Sequence, residues 1–115
     1  MSSAEEAHLR SFLQCLTTAG NVERLTVIRH LSPKDCRLIR QVVYNILFNS
    51  SLDIKEKDRI YFRRNIGPLR ILASRGINAA EKRVLLAKRH LLLKRLAIAT
   101  LSYLEHPLRE VQKFD

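Results

Sequence analysis

Apolar residues in the first part of the chain recur three and four positions apart, which is the spacing that lines one face of an α-helix. In the first segment these positions are Leu9, Phe12, Leu13 and Leu16. Ser3 and Glu6 precede them at the spacing of a capping box, and Gly20 follows as a stop signal. A short second helix is predicted to begin with Asn21 as its cap, with Val22, Leu25 and Ile28 facing inward.

The strongest helix start in the chain lies at Ser32-Pro33-Lys34-Asp35. Serine caps a helix, proline is preset for the first turn, and an aspartate suits the positive end of the helix dipole. The apolar positions that follow at helical spacing are Ile39, Val42, Val43, Ile46 and Leu47. The pattern predicts the central core helix over residues 33–48.

The second half begins with another capping-box spacing, Asp53 and Glu56, which predicts the start of a basic helix. Gly67-Pro68 interrupts this segment, because proline removes a backbone donor and disfavours helix at the preceding residue. We expect a break or a kink there, with the helix continuing over residues 69–73.

The last predicted helix is the longest. Asn78 and Glu81 can cap it, and nothing interrupts the pattern from residue 79 to about residue 104, before Pro107. Leucines and basic residues form alternating stripes around this helix rather than two clean halves. We therefore expect some of its sides to pack on neighbouring helices or on a second subunit, while its basic stripes face phosphates.

The pattern contains no alternation typical of strands, and three glycines leave little turn chemistry for hairpins. The prediction is an all-α protein, a compact bundle of five to six helices with a long basic C-terminal helix. A length of 115 residues suits one domain. Within it we distinguish a nearly charge-neutral half (1–52, with six Lys and Arg against four Asp and Glu), a basic half (53–106) and a polar tail (107–115).

Charge separates the two halves more sharply than hydropathy does. The formal charge is +10, and the segment 55–95 holds 13 Lys and Arg against three acidic residues, which accounts for the whole excess. Such asymmetry indicates a binding face for a polyanion, although a solvated surface that only aids solubility is an alternative. The candidate nucleic-acid-binding residues are Arg59, Arg63, Arg64, Arg70, Arg75, Lys82, Arg83, Lys88, Arg89, Lys94 and Arg95.

The residues needed for catalysis or cofactor binding occur at no recognisable spacing. The four histidines are scattered, there is no glycine-rich phosphate loop, and we expect neither an enzyme, a metal site nor a cofactor. Cys15 and Cys36 lack CxxC partners and are predicted to lie reduced in the core. The acidic N-terminus resembles no secretory signal and the apolar run 96–104 is too short for a membrane span, so we expect an intracellular protein.

Phosphate contacts made by lysine and arginine do not depend on base sequence. Base reading would need exposed Asn, Gln or Arg at the start of a recognition helix, and only Arg75 and Asn78 suggest it weakly. Tyr61 and Phe62 are interpreted as core residues rather than a stacking platform. We therefore expect sequence-tolerant binding, with DNA favoured over RNA as the partner.

Over residues 22–90 the chain resembles small basic proteins of Polinton-type elements and adintoviruses. The resemblance lies in Arg24-Leu25, Ile28-Arg29, Asp35-Cys36, Asn45-Ile46-Leu47, Leu52, the run 57–73 and the run 80–86. It implies a virion core protein that contacts packaged DNA, in the virion or the host nucleus, with a homo-oligomer or other virion proteins as partners. Family members often continue into a Gly-Gly processing site, whereas residues 87–93 of this chain contain no glycine.

Two further interpretations stay open. One is a helical interaction or minor capsid module whose basic face docks an acidic partner. The other is a helix-turn-helix regulator built around Leu31-Ser32-Pro33, which the position of the basic residues does not favour.

Overall fold

The computed structural model describes residues 2–49 and 52–105, which form seven α-helices and no strand. In chain order these are α1 (Ser3–Thr18), α2 (Asn21–Arg29), α3 (Pro33–Phe48), α4 (Glu56–Arg64), α5 (Ile66–Ala73), α6 (Ala79–Lys88) and α7 (His90–Glu105). The all-α prediction is confirmed. The prediction of five to six helices is wrong, because the segment 79–105, predicted as one helix, forms two. The predicted stop at Pro107 and the tail 107–115 lie outside the described residues.

All seven helices contribute to one hydrophobic core. The main contacts join α1 to α7, α3 to α5, and α2 to α6. Leu13, Ile28, Val43, Leu69 and Leu96 are among its fully buried side chains. None of the helices in the described part of the chain combines the length and apolarity needed to cross a bilayer.

The central helix follows the sequence prediction closely. Helix α3 spans Pro33–Phe48, and the Ser32 hydroxyl accepts a hydrogen bond from the Asp35 amide at 3.1 Å while the Ser32 amide donates to the Asp35 carboxylate at 3.4 Å. Helix α1 uses the same chemistry one residue earlier than predicted. Its cap is Ser2, which accepts from the Glu5 amide at 3.1 Å.

Helix α2 buries the charged residue Arg24, whereas Val22, which the apolar pattern places in the core, is exposed. Val22 is 78% exposed, whereas Arg24 is 1% exposed. The inward orientation predicted for Val22 is therefore wrong. Asn21 is the first helical residue rather than the cap, and its side-chain oxygen accepts from Arg24 Nη1 at 3.1 Å.

The Arg24 guanidinium is held mainly by the C-terminal end of α1. Its Nε donates to the Leu16 carbonyl at 3.0 Å and its Nη2 donates to the Ala19 carbonyl at 2.7 Å. His90 Nδ1, at the start of α7, lies 3.3 Å from Arg24 Nη1 and accepts from it. These carbonyls carry the negative end of the helix dipole, so they stabilise the buried charge without a carboxylate.

Helix α4 begins at Glu56 with Lys55 at the cap position, and no side chain caps it. The capping box predicted at Asp53 is therefore wrong. Arg59 instead holds the preceding loop, since its Nε donates to the Ile54 carbonyl at 3.2 Å and its Nη2 donates to the Leu52 carbonyl at 2.9 Å.

The break expected at Gly67-Pro68 occurs two residues earlier, at Asn65. Helix α5 starts at Ile66, so Pro68 lies in its first turn. Backbone amides there have no partner inside the helix, and the missing donor of proline leaves no bond unmade.

The long C-terminal helix predicted from residue 79 is wrong. It is divided at Arg89, whose φ of −123° and ψ of 40° lie outside the helical region. No glycine or proline marks this point in the sequence. On either side of this division, α6 packs on α2 and α7 packs on α1.

Replacement of Arg24 by methionine tests the importance of the buried guanidinium. Arg24→Met leaves the Leu16 and Ala19 carbonyls without their donor, so we expect the free energy of unfolding to fall by about 2–4 kcal/mol. Urea denaturation followed by circular dichroism measures it. The matched control is Arg29→Met, on the same helix but exposed, which should change stability by less than about 0.5 kcal/mol. Equal losses in the two variants would contradict the role assigned to Arg24.

Candidate nucleic-acid interface

The eleven candidate residues differ widely in exposure. Seven side chains are exposed: Arg63, Arg64, Arg70, Arg75, Lys88, Arg89 and Arg95. Arg59, Arg83 and Lys94 are half-buried, and Lys82 is buried at 7% exposure. The charge of the basic half is therefore only partly available to a partner.

Three of the candidates donate to backbone carbonyls inside the protein. Arg59 holds the loop before α4 as described above. Arg83 Nη1 donates to the Leu31 carbonyl at 3.2 Å, and Lys82 Nζ donates to the Ser74 carbonyl. These bonds tie α6 to the α2–α3 connection and to the end of α5, so the three side chains serve the fold as well as any ligand.

Three other candidates gather around Tyr61, and we call Lys88, Arg89 and Arg95 the junction cluster. Lys88 and Arg89 line a concavity of about 220 Å³ together with Tyr61 and residues at the start of α7. The Arg95 guanidinium lies 4.8 Å from the centre of the Tyr61 ring, which is the distance of a cation–π contact. The division of the last helix at Arg89 creates this arrangement, so the sequence pattern did not predict it.

Arg95 is oriented from two sides. Its Nη1 lies 3.4 Å from Asp58 Oδ1, and the Asp58 side chain is largely buried. Part of the Arg95 charge therefore balances an internal carboxylate. Lys88 and Arg89 have no such partner among the described residues.

Arg59 and Arg63 meet at a second concavity, of about 180 Å³, whose other lining residues are apolar. Arg63 Nη2 lies 4.0 Å from Glu56 Oε1, and both side chains are exposed. An exposed ion pair at this distance contributes little free energy, so Arg63 stays available to a polyanion.

Arg75 and Lys82 lie at a third concavity, where Arg37 and Arg40 of α3 join them. The space measures about 460 Å³ and is lined by Pro33, Cys36, Arg37, Arg40, Arg75, Ile77, Ala79 and Lys82. We call it the basic pocket. Its lining contains four cations and no acidic residue.

Arg37 and Arg40 were not among the sequence candidates because they belong to the nearly charge-neutral half. No ion pair involves either arginine within residues 2–49 and 52–105. The one available signal is their spacing, because residues three apart on a helix share a face.

Lys82 lines the basic pocket and is largely shielded from water. Burial lowers the pKa of its ammonium group below the ordinary value of 10.5, and the positive charge of Arg40 lowers it further. The nearby Cys36 opposes the shift. The lowered pKa indicates that the fold holds this cation against an unfavourable environment.

Six candidates make no side-chain hydrogen bond, ion pair or ring contact with any described residue: Arg64, Arg70, Arg75, Lys88, Arg89 and Lys94. Arg64, Arg70 and Lys94 line none of the concavities described above. The structure thus divides the candidates among separate places on the surface, with Arg59 and Lys82 at different concavities.

The cysteines and the other potential metal-ligating residues lie as follows. Cys36 is buried as expected, but Cys15 is exposed, so its predicted core position is wrong; both are free thiols. In the part of the chain that the structure describes, no three His, Cys, Asp or Glu side chains lie close enough together to hold a metal ion.

Comparisons of the chain with protein-family models, with curated proteins and with solved structures found no match. The resemblance to proteins of Polinton-type elements therefore stays a prediction based on the residues quoted above.

The lowered pKa of Lys82 has a measurable consequence for stability. Between the pKa of the folded chain and the ordinary value of 10.5, the unfolded chain holds a proton that the folded chain has released. The free energy of unfolding should therefore rise with pH as this window is crossed. Lys82→Met lacks the effect, so we expect the stability of the wild type relative to this variant to increase between neutral pH and about pH 10.5.

Urea denaturation at a series of pH values measures the difference. Lys88→Met is the reference, since it removes an exposed ammonium from the same helix. A wild-type advantage over Lys82→Met that stays level or decreases as pH rises would contradict the assignment.

Proposed function

We propose that this protein is a non-enzymatic nucleic-acid-binding protein that contacts phosphates with little regard to base sequence, with double-stranded DNA as its main partner. The observation that carries the proposal is the set of six unpaired cations in the basic half. Five of the six are exposed and Lys94 is half-buried. Exposed arginine and lysine side chains without internal acids gain most from neutralising phosphates and releasing the counterions of the duplex.

The junction cluster is the part of this surface that the fold organises best. Lys88 and Arg89 flank the division between α6 and α7 and share a concavity with Tyr61. Arg95 is held in place beside them by Tyr61 and Asp58. Cations fixed in position lose less side-chain entropy on binding than mobile ones do.

Two contacts support binding that does not read bases. The Asn78 side chain accepts from the Glu81 amide at 2.9 Å as the cap of α6, so its amide oxygen is occupied. The Tyr61 ring is covered by Arg95 and is only partly exposed. Neither residue offers the free hydrogen-bonding edge or the open ring that base recognition requires.

The resemblance to proteins of Polinton-type elements and adintoviruses gives this binding a biological setting. We propose condensation or packaging of a genome in a virus-like particle, with the virion or the host nucleus as the location. A second copy of the chain or other virion proteins are the expected protein partners.

A second candidate function is supported by a groove between α2 and α6. It measures about 550 Å³, and it is lined by Leu25, Arg29, Ala80, Arg83, Val84, Ala87 and Lys88. Val84 is 56% exposed within it, and three cations surround its apolar residues. Such a surface suits an acidic amphipathic helix, as in an interaction or minor capsid module.

Electrophoretic retardation of unrelated duplexes tests the leading proposal. We expect binding at about 50 mM salt that weakens steeply towards about 200 mM, with no preference among sequences. Lys88→Gln combined with Arg89→Gln should weaken binding and reduce the slope of log K against log salt by about 0.9 for each phosphate that the variant no longer neutralises.

The matched control is Arg29→Gln combined with Lys34→Gln, which removes the same charge from exposed positions in the front half. A smaller effect in this control supports the junction cluster as part of the interface. Absence of any duplex binding at about 50 mM salt would rule out the proposal and favour an acidic protein partner.

A further inference from the structure

The basic pocket lies where α3 approaches the connection between α5 and α6. Its volume of about 460 Å³ falls in the range of small-molecule sites. We propose that the basic pocket binds a terminal phosphate group, a phosphomonoester carried by a nucleotide or by the end of a nucleic-acid strand. This inference goes beyond the proposed duplex binding, because it uses Arg37 and Arg40, which lie outside the basic half, although the two proposals share Arg75 and Lys82.

The first argument is charge. Arg37, Arg40, Arg75 and Lys82 line one concavity without an acidic residue in the lining. In the described part of the chain, none of the four forms an ion pair. Like charges held together raise the electrostatic energy of the empty pocket, and an anion that enters it relieves this repulsion.

The second argument is the burial of Lys82. The side chain is only 7% exposed, and its ammonium group has three N–H donors. The Ser74 carbonyl accepts from this group and is its one hydrogen-bond partner among the described residues. A buried cation is costly unless it is paired or fully hydrogen-bonded, and a phosphate oxygen in the pocket would supply both the charge and the acceptor.

The third argument is the chemical identity of the donors. Arginine guanidinium groups bind phosphate oxygens in a bidentate manner, and three of the four cations are arginines. A phosphomonoester carries about −1.5 to −2 charges and three terminal oxygens, so it can meet several cations at once. A phosphodiester of the nucleic-acid backbone carries one charge, and the strand continues on both sides of it. Such a group binds more readily on an exposed surface than inside a concavity.

The remaining lining residues are compatible with a nucleotide. Pro33, Ile77 and Ala79 are apolar, and such surfaces accept a sugar or a base beside the charged group. The volume exceeds what a phosphate group alone would fill. We therefore expect AMP to bind more tightly than inorganic phosphate, and adenosine, which lacks the phosphate, not to bind.

Isothermal titration of the full chain with AMP, inorganic phosphate and adenosine at low salt tests the proposal. Arg37→Gln and Arg40→Gln should each weaken AMP binding by about tenfold or more, because each removes a charge-assisted hydrogen bond. Lys57→Gln is the control, since it removes an exposed cation outside the pocket and should change binding less than about twofold. Circular dichroism verifies that each variant is folded.

The source of the phosphate is distinguished by a pair of single-stranded oligonucleotides that differ only in a 5′-phosphate or a 5′-hydroxyl. Tighter binding of the phosphorylated strand, abolished in Arg37→Gln, supports recognition of a nucleic-acid end. AMP binding without any difference between the strands supports a free nucleotide.

Failure of both AMP and inorganic phosphate to bind would overturn the proposal. It would also be overturned if Lys57→Gln weakened AMP binding as much as Arg40→Gln does, because the effect would then reflect net charge alone. Duplex retardation is measured in parallel. If the protein bound AMP but no duplex, the proposed function would be rejected and the proposal for the basic pocket would be retained.

Discussion

The buried guanidinium of Arg24 is the interaction on which the remaining architecture depends. It joins the last carbonyls of α1 to the body of α2 and to His90 at the start of α7. Helices α1 and α7 share the most extensive contact in the fold, and the first residue of α7, His90, lies against the Arg24 guanidinium. Arg24 thus contacts the residue that directly follows Lys88 and Arg89 of the junction cluster.

The same chemistry recurs at four other basic side chains. Arg10 donates to the Leu104 carbonyl at 2.9 Å, and Arg59, Lys82 and Arg83 donate to carbonyls in connections between helices. Helix ends and loops present carbonyls that must be satisfied, and in this chain cations satisfy many of them. The net charge of +10 thus overstates the charge that a ligand can meet. The six unpaired candidates and the four cations of the basic pocket, which share Arg75, are the better measure.

Local sequence signals predicted the parts of the fold that local chemistry decides. The limits of α3 follow from Ser32, Pro33 and the apolar spacing, and Asn78 caps α6 as expected. The division at Arg89 could not be predicted, because only packing against α1 and α2 requires it. Likewise, a hydropathy pattern places Val22 inside and Arg24 outside, since it does not include the carbonyls that accept hydrogen bonds from Arg24.

For the candidate site, counting charge along the chain found the basic half. It missed Arg37 and Arg40, which approach Arg75 and Lys82 only in three dimensions.

The bend at Arg89 lies between the cations carried by α6 and those carried by α7. No glycine or proline lies there, and the flanking residues suit a continuous helix, so the bend is maintained by tertiary contacts rather than by backbone chemistry. The angle between α6 and α7 is therefore determined by the packing of the core as a whole. The separation between cations on either side of the bend depends in the same way on residues as distant as the end of α1. The spacing of positive charge that a polyanion meets is thus set by the interior of the protein.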